Sequence, residues 1–514
     1  MGRVESDSFP LLSAAQMRLA DQQTIDSGEA SAHQLMERAG QAVADAVRRC
    51  ADDGGRIVVL CGSGNNAGDG FVAARLLRNR RIPVTAIPLV PIEHYKGETA
   101  DQMELARKAG VKIRPATGVD DLDYLIDWLN RAAMVVDAIF GTGLDRPLEG
   151  WMAEVVACVN QSDRQILAVD IPSGIHADNG EELGVAIRAD FTLPIAAYKW
   201  GHWLNPGNSY AGTLLEPAPI GIDDQTLCRV MDACPSSARA SFLINHMMIR
   251  SAFPPRPADA HKKSFGHLWV LGGSAGYTGA PRLAAAGALA AGAGLVSITC
   301  PDDVYPIIAG SSLEVMVHPE SSAPCNTSDA RIADAIVAGP GWGCGCGDRL
   351  RELLASPLPA VLDADALNAM AADASFVETL RGREALTVLT PHPGEAGRLL
   401  GTSSASVQHD RFSAVLQLAE KYHAWVVLKG AHTLVASPDL RVWLCPFGSA
   451  NLATAGTGDV LAGMVGALLA AAIPPEKAIP AVVGLHAVAG EQAGWHRAGQ
   501  LEDVIASLLR DMRS

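Results

Sequence analysis

The stretch RIVVLCGSGNNAGDGFVAARLLRNRRIPVTAIPLV constrains this chain more than any other. It runs from an apolar strand through a Gly-rich turn and a helix to a second apolar strand. A near-continuous run such as IVVLC leaves no polar face for water, so both faces of its sheet must be covered. Helical crossovers then imply parallel strands between layers of helix. The pattern recurs in AAMVVDAIFGTGL and RQILAVDIPSG. It restarts in HLWVLGGSAGYTGAPRLAAAGALAAGAGLVSITC and continues to the end. The upstream segment LLSAAQMRLADQQTIDSGEASAHQLMERAGQAVADAVRRC predicts two helices broken near Gly28. In open parallel sheets, ligands collect at the carboxyl ends of the strands.

The periodicity fades between about 220 and 260, where ACPSSARA and FPPRPADAHKK read as linkers. With 514 residues, the chain exceeds what one core usually holds. We therefore expect two α/β domains, 1–230 and 240–514, sharing an architecture but no internal repeat. A 48% hydrophobic composition supplies sizeable cores. No apolar run reaches the length of a membrane span, and no basic n-region precedes an apolar block. Asp7 stands where a myristoylation signal places Ser or Thr. The net charge of −15 argues against nucleic-acid or acidic-membrane partners. Ten scattered cysteines in a chain without a signal suggest a reducing cytoplasm. Cys344 and Cys346 lack a second pair or a nearby histidine, so small residues in a Gly-rich loop explain them better than a metal does.

Asn and Asp gather at three strand ends of the first half. GSGNNAGDG supplies Asn66 and Asp69, MVVDAIF supplies Asp137, and ILAVDIPSG supplies Asp170 and Ser173. One such residue is more often a loop cap. Three strand ends converging on one sheet edge favour a site in which oxygens hold a cation and one acid moves a proton.

In the second half, NLATAGTGDVLAGMVGALLA puts Asp459 after Gly456, Thr457 and Gly458, at the start of an apolar helix. An N-cap role needs no flanking glycines. An acid beside the free N–H groups of a helix N-terminus suits phosphoryl transfer, with a base for a hydroxyl and a cradle for phosphate. Four further signals accompany it: the loop before Ala280, the loop VAGPGWG with Gly343, the turn TPHPGE with His392 and Glu395, and KGAHT with Lys429 and Thr433.

GSGNNAGDG, VVDAIFGTGLDRP and AVDIPSG, in that order, resemble the NAD(P)H-hydrate epimerase domain over roughly residues 10 to 225. Ala67 stands where that family commonly has Gly. The resemblance implies a Rossmann-like three-layer fold. It implies that Asn65, Asn66, Ala67, Gly68 and Asp69, with Gly141, Thr142, Gly143, Leu144, Asp145, Arg146 and Pro147, contact the hydrated nicotinamide nucleotide. It also implies potassium at Asn66, Asp137 and Ser173, and acid–base work by Asp170 near the reacting ring.

TPHPGE, KGAHT and NLATAGTGD together resemble the ADP-dependent NAD(P)H-hydrate dehydratase domain, of ribokinase-like α/β fold, over roughly residues 240 to 510. This implies that Lys429, Gly430, Ala431, His432, Thr433 and Gly458 bind the adenine nucleotide. Ala280, Gly343, His392 and Asp459 would face the hydrated nicotinamide, with Asp459 catalytic. The joint expectation is a repair enzyme that epimerises the R and S hydrates of NADH and NADPH and dehydrates the S form, using ADP and magnesium. Its partners would be small molecules, and a homo-oligomer is compatible with the sequence. The rival is a ribokinase-like kinase of a hydroxymethylpyrimidine-type alcohol with a nucleotide-sensing first half. That rival leaves the intact Asn66, Asp137, Asp170 and Ser173 set unexplained.

Overall fold

The computed structural model describes residues 9–51, 55–233, 240–310, 312–322, 333–492 and 494–513. Most of the linker ACPSSARA and most of the N-terminal decapeptide lie outside them. Two compact units emerge, one within 10–236 and the other within 237–514. No helix of the described residues is long and apolar enough to cross a membrane.

The first unit contains strands β1 (Phe9–Leu12), β2 (Arg56–Cys61), β3 (Val84–Pro88), β4 (Lys112–Ile113), β5 (Ala132–Ala138), β6 (Gln165–Val169), β7 (Phe191–Leu193), β8 (Tyr198–Lys199) and β9 (Thr213–Leu214). Its main sheet has the order β4-β3-β2-β5-β6-β7-β9, and every pairing is parallel. Strand β2 shows why its sequence is apolar throughout. Ile57, Val59 and Cys61 enter one core, with the helices Ala32–Cys50 and Asn65–Asn79. Val58 and Leu60 enter the other, with Leu122–Asn130 and Trp151–Gln161. Both faces are covered, so period-two alternation has nothing to mark. The strand order reverses between β2 and β5, which opens a crevice beyond their carboxyl ends.

The second unit continues with β10 (Ala240–Leu243), β11 (His267–Leu271), β12 (Leu295–Cys300), β13 (Met316–Pro319), β14 (Ala335–Ala338), β15 (Ala360–Leu362), β16 (Thr387–Leu389), β17 (Trp425–Leu428), β18 (Leu434–Ala436) and β19 (Arg441–Leu444). They run β13-β12-β11-β14-β15-β16-β17-β18-β19-β10. Only the pairings of β18 with its two neighbours are antiparallel. The order reverses between β11 and β14, so loop 272–278 meets loop 339–346 there. Helices Gly279–Ala291 and Thr457–Ala470 pack over Leu268, Val270 and Val337 in one core.

The glycine-rich segment GSGNNAGDG, expected as a loop, is largely helical. GSGNNAGDG enters its helix already at Asn65, with Gly64 as the N-cap residue. Its later glycines serve packing, since a Cβ on Gly68 would lie 2.5 Å from the Met36 side chain and one on Gly70 2.8 Å from Ala138 Cβ. The break near Gly28 is present, between helices Ala14–Asp26 and Ala32–Cys50, each opened by a serine capping box.

Candidate functional sites

The first site is a cavity of about 540 Å³ at the β2/β5 switch point. Asn65, Asn66 and Asp69 reach it from the first turns of their helix, Gly141 to Arg146 from the loop after β5, and Asp170 from the end of β6. Ala67 and Gly68, expected beside the nucleotide, do not line it. Ala67 is wholly buried in the core and Gly68 packs on Met36, because a helix turns alternate residues of this run away from the cavity. Pro147 is likewise absent from the lining.

Asp170 does not stand alone. The wholly buried Lys199 ammonium ion-pairs with its Oδ1, which also accepts the Ile195 N–H at 3.1 Å. Lys199 Nζ further donates to the Ile195 carbonyl at 2.6 Å. Asp170 Oδ2 points toward Gly141, where an added Cβ would lie 3.2 Å from it. Asp170 has φ of 70°, a left-handed conformation that Asp tolerates at some cost. Buried His202 holds it there: Nε2–H donates to the Asp170 carbonyl at 2.7 Å, and Nδ1 accepts the Lys199 N–H at 3.1 Å. Burial, then the Lys199 charge, pushes the His202 pKa down to about 4, so the imidazole stays neutral and keeps this donor–acceptor order. Asp21, from helix Ala14–Asp26, also lines the cavity, and burial raises its pKa to about 6. Asp69 is held well above the carboxylate range by burial, with Asp170 and Asp21 adding to the effect.

Asp137 lies behind the cavity and is wholly buried. It accepts from Ser173 N at 2.8 Å, Ser173 Oγ at 2.6 Å and Ile139 N at 3.2 Å. Among the described residues no lysine or arginine pairs with it, and burial raises its pKa to about 6. Asn66 donates Nδ2–H to the Val169 carbonyl at 3.2 Å, which leaves Oδ1 available. A buried carboxylate without a countercharge, beside amide, hydroxyl and carbonyl oxygens, has the donor chemistry of a hard monovalent cation.

The second site follows the carboxyl ends of β15, β16 and β17. Lys429 Nζ donates to Asp363 Oδ1 at 2.8 Å and lies 3.9 Å from Glu395 Oε2. Asp363 is 2% exposed and also accepts from Thr390 Oγ1 at 2.9 Å. An added Cβ on Gly458 would lie 3.2 Å from Lys429 Nζ, so this glycine leaves room for the ammonium beside the helix N-terminus. Burial works to lower the Lys429 pKa, but Asp363, Glu395 and Asp459 outweigh it and hold it above its ordinary value. The N-cap of helix Thr457–Ala470 is Gly456, at φ of 92°, and no side chain caps the helix. Asp459 therefore sits in the first turn without capping it. Burial, then Asp363, raises its pKa to about 7 against the opposing pull of Lys429. From the neighbouring helix, His486 Nε2–H donates to the Thr457 carbonyl at 3.0 Å and steadies this turn.

His392 is the N-cap of helix Pro393–Leu400, its Nδ1 accepting from Gly394 N at 3.0 Å and Glu395 N at 3.3 Å. Glu395 Oε2 returns the bond to His392 N at 2.8 Å. Gly343 N donates to Asp365 Oδ2 at 2.8 Å. A Cβ on Gly341 would lie 3.2 Å from the Ala280 Cβ, which places Ala280 against this loop. Lys429, expected on the nucleotide with Gly430 to Thr433, has its ammonium beside Asp363 and Glu395. Those four residues follow β17, where Arg411 braces the strand end by donating to the Leu428 and Lys429 carbonyls. Among the described residues no group of three or more His, Cys, Asp or Glu side chains could hold a metal ion. At the second site the Lys429 ammonium already lies against Asp363 and Glu395.

Sequence reasoning missed Lys199, His202, Asp21, Asp363, Asp365 and Thr390. Asp363 carried a usable signal, because VLDADALN ends a strand in an acid as MVVDAIF and ILAVDIPSG do.

A family model described as YjeF-related protein N-terminus matches residues 32–201, and one described as NAD(P)H-hydrate dehydratase matches 268–507. The bifunctional NAD(P)H-hydrate repair enzyme Nnr of Moorella thermoacetica is 38% identical, covering 98% of this chain and 97% of its own length. The Escherichia coli enzyme of the same name is 33% identical, covering 93% and 88%. A crystal structure of ADP/ATP-dependent NAD(P)H-hydrate dehydratase from Bacillus subtilis, co-crystallised with ATP/Mg2+, is 28% identical. It covers 52% of this chain and 98% of its own, with a TM-score of 0.47. The first half is a Rossmann-like α/β unit and the second a ribokinase-like one. The two family models match different parts of the chain, and relatives of this kind span nearly all of it: it belongs to the family of bifunctional NAD(P)H-hydrate repair enzymes.

Proposed function

We propose that this chain repairs hydrated NADH and NADPH. Residues 1–230 interconvert the R and S hydrates, and residues 240–514 dehydrate the S form with ADP, giving AMP and phosphate. The observation that carries this reading is Asp459, in the first turn of an uncapped helix and raised to about 7 by burial and Asp363. A base is most useful when its pKa lies near the working pH. Asp459 takes the proton of the ring hydroxyl as the hydroxyl oxygen bonds to the terminal phosphorus of ADP. The P–O bond to AMP breaks. N–H groups around Gly456 to Gly458 and the Lys429 ammonium stabilise charge on the phosphoryl oxygens. The ring then loses phosphate and a neighbouring C–H proton, and the reduced nicotinamide is restored.

Lys429, Gly430, Ala431, His432, Thr433 and Gly458 are assigned to the adenine nucleotide, and Ala280, Gly343, His392 and Asp459 to the hydrated nicotinamide. Magnesium arrives with the nucleotide phosphates rather than in a protein cage. In the first half, Asp170 acts on the hydrated ring within the cavity lined by Asn65, Asn66, Asp69 and Gly141 to Arg146. Asn66, Asp137 and Ser173 would hold potassium, whose charge would balance the buried Asp137 carboxylate. The compartment that suits this chemistry is the cytoplasm, and a homo-oligomer is compatible with it.

The test supplies purified S hydrate with ADP or ATP and follows recovery of reduced-nicotinamide absorbance. Wild type recovers it with ADP. Asp459→Asn lowers kcat by about 100-fold or more at unchanged melting temperature. Undiminished turnover in that variant would contradict the assignment.

A further inference from the structure

Resting on the epimerase reading of the first half, we propose that Asp69 is a second catalytic residue there, the proton-carrying acid that works opposite Asp170. Asp69 is 8% exposed and lines the cavity. Its carboxyl forms no hydrogen bond or ion pair with any described residue. A carboxyl in that position has only the cavity from which to take a partner, either water or a ligand. Asp170 is its counterpart in every respect. Lys199 pairs with it, Ile195 N donates to it, and His202 fixes its backbone. One cavity thus holds an acid paired with an ammonium and a main-chain N–H, and another that no side chain or N–H of the described residues engages. Two carboxyls in such different surroundings can divide the roles of acid and base.

The other charged groups on the lining are Arg18 and Asp21 from the first helix, Glu98, and Asp145 and Arg146 of the loop after β5. The ammonium of Lys199 pairs with Asp170 and also opposes, without outweighing, the rise that burial, Asp170 and Asp21 impose on Asp69.

The chemistry of a hydrated nicotinamide ring needs both roles. Its hydroxyl sits on the carbon next to the ring nitrogen. Asp69 gives a proton to that hydroxyl oxygen, the C–O bond breaks with its electron pair leaving on water, and the nitrogen lone pair forms a C=N bond. Water then adds to the other face of the same carbon. The C=N electron pair returns to nitrogen, and the Asp170 carboxylate takes the proton released by the entering water. Asp69 ends as carboxylate and Asp170 as acid. Proton exchange with solvent at the cavity mouth resets the pair, and the reverse assignment serves the opposite epimer. Atoms and charge balance with no added reagent.

The test uses the full chain and reads R and S hydrates separately, each with ADP and magnesium, against the uncatalysed rate. Asp69→Asn should lower kcat for R hydrate at least about 100-fold, with KM unchanged and S-hydrate turnover intact. In heavy-oxygen water, wild type should introduce label at the hydroxyl as it epimerises. Unchanged R-hydrate kcat, a change confined to KM, or retention of the original oxygen overturns the proposal. If Asp69→Asn melts early, Asp69→Glu decides: R-hydrate turnover surviving in it supports an acid role, and equal loss in both variants contradicts one. A wild type inactive on R but active on S hydrate would instead overturn the epimerase reading itself.

Discussion

A carboxylate serves as a base only where its neighbours leave it ionised at the working pH. Asp459 lies at that margin, raised to about 7 by burial and Asp363 while Lys429 pulls the other way. Protonation of Asp459 removes the base, so S-hydrate kcat should fall as pH drops through about 7. Lys429→Met removes the opposing charge and should move that limb to higher pH. A pH profile at saturating ADP checks both, and coincident limbs in wild type and variant would contradict the account. Asp459 was legible in the sequence because glycines flank it ahead of an apolar helix. Lys199 was not: it sits between Tyr198 and Trp200, and its partner Asp170 lies 29 residues earlier. Only the folded sheet brings them together. His202 was hidden for the same reason, since a histidine that bonds main chain leaves no motif.

At the scale of elements, the strands read cleanly and the glycines did not. Strands such as β2 and β5 are continuous apolar runs because helices cover both their faces. Glycines that looked like phosphate turns divide into two kinds. Gly456 needs its left-handed backbone to start the Asp459 helix. Others let main chains touch: a Cβ on Gly463 would lie 1.8 Å from the Ala284 carbonyl oxygen, and one on Gly287 2.3 Å from that of Val460. Helices Gly279–Ala291 and Thr457–Ala470 therefore cross backbone to backbone, and that crossing sets where Asp459 stands. Gly463→Ala must push the helices apart. We expect it to cost about 1–3 kcal/mol in chemical denaturation and to lower S-hydrate turnover. A stability within error of wild type would mean that the crossing is looser than drawn. Spacing along a sequence carries no record of such approaches, because they join segments far apart in the chain.

On the scale of the whole molecule, each half carries a site at the switch point or strand ends of its own sheet. Each site has a lysine paired with an acid: Lys199 with Asp170 in the first, and Lys429 with Asp363 in the second. Each chemistry alone would leave repair incomplete, because a dehydratase accepting one epimer strands the other. The central claim is therefore tested most directly with a mixture of R and S hydrates, supplied with ADP, magnesium and potassium, by following absorbance of the reduced nicotinamide. Wild type should restore the full amount. Asp170→Asn should stop near the S fraction, and Asp459→Asn should restore almost none. Full recovery by Asp170→Asn at the wild-type rate, or a wild type that halts at the S fraction, would contradict the account.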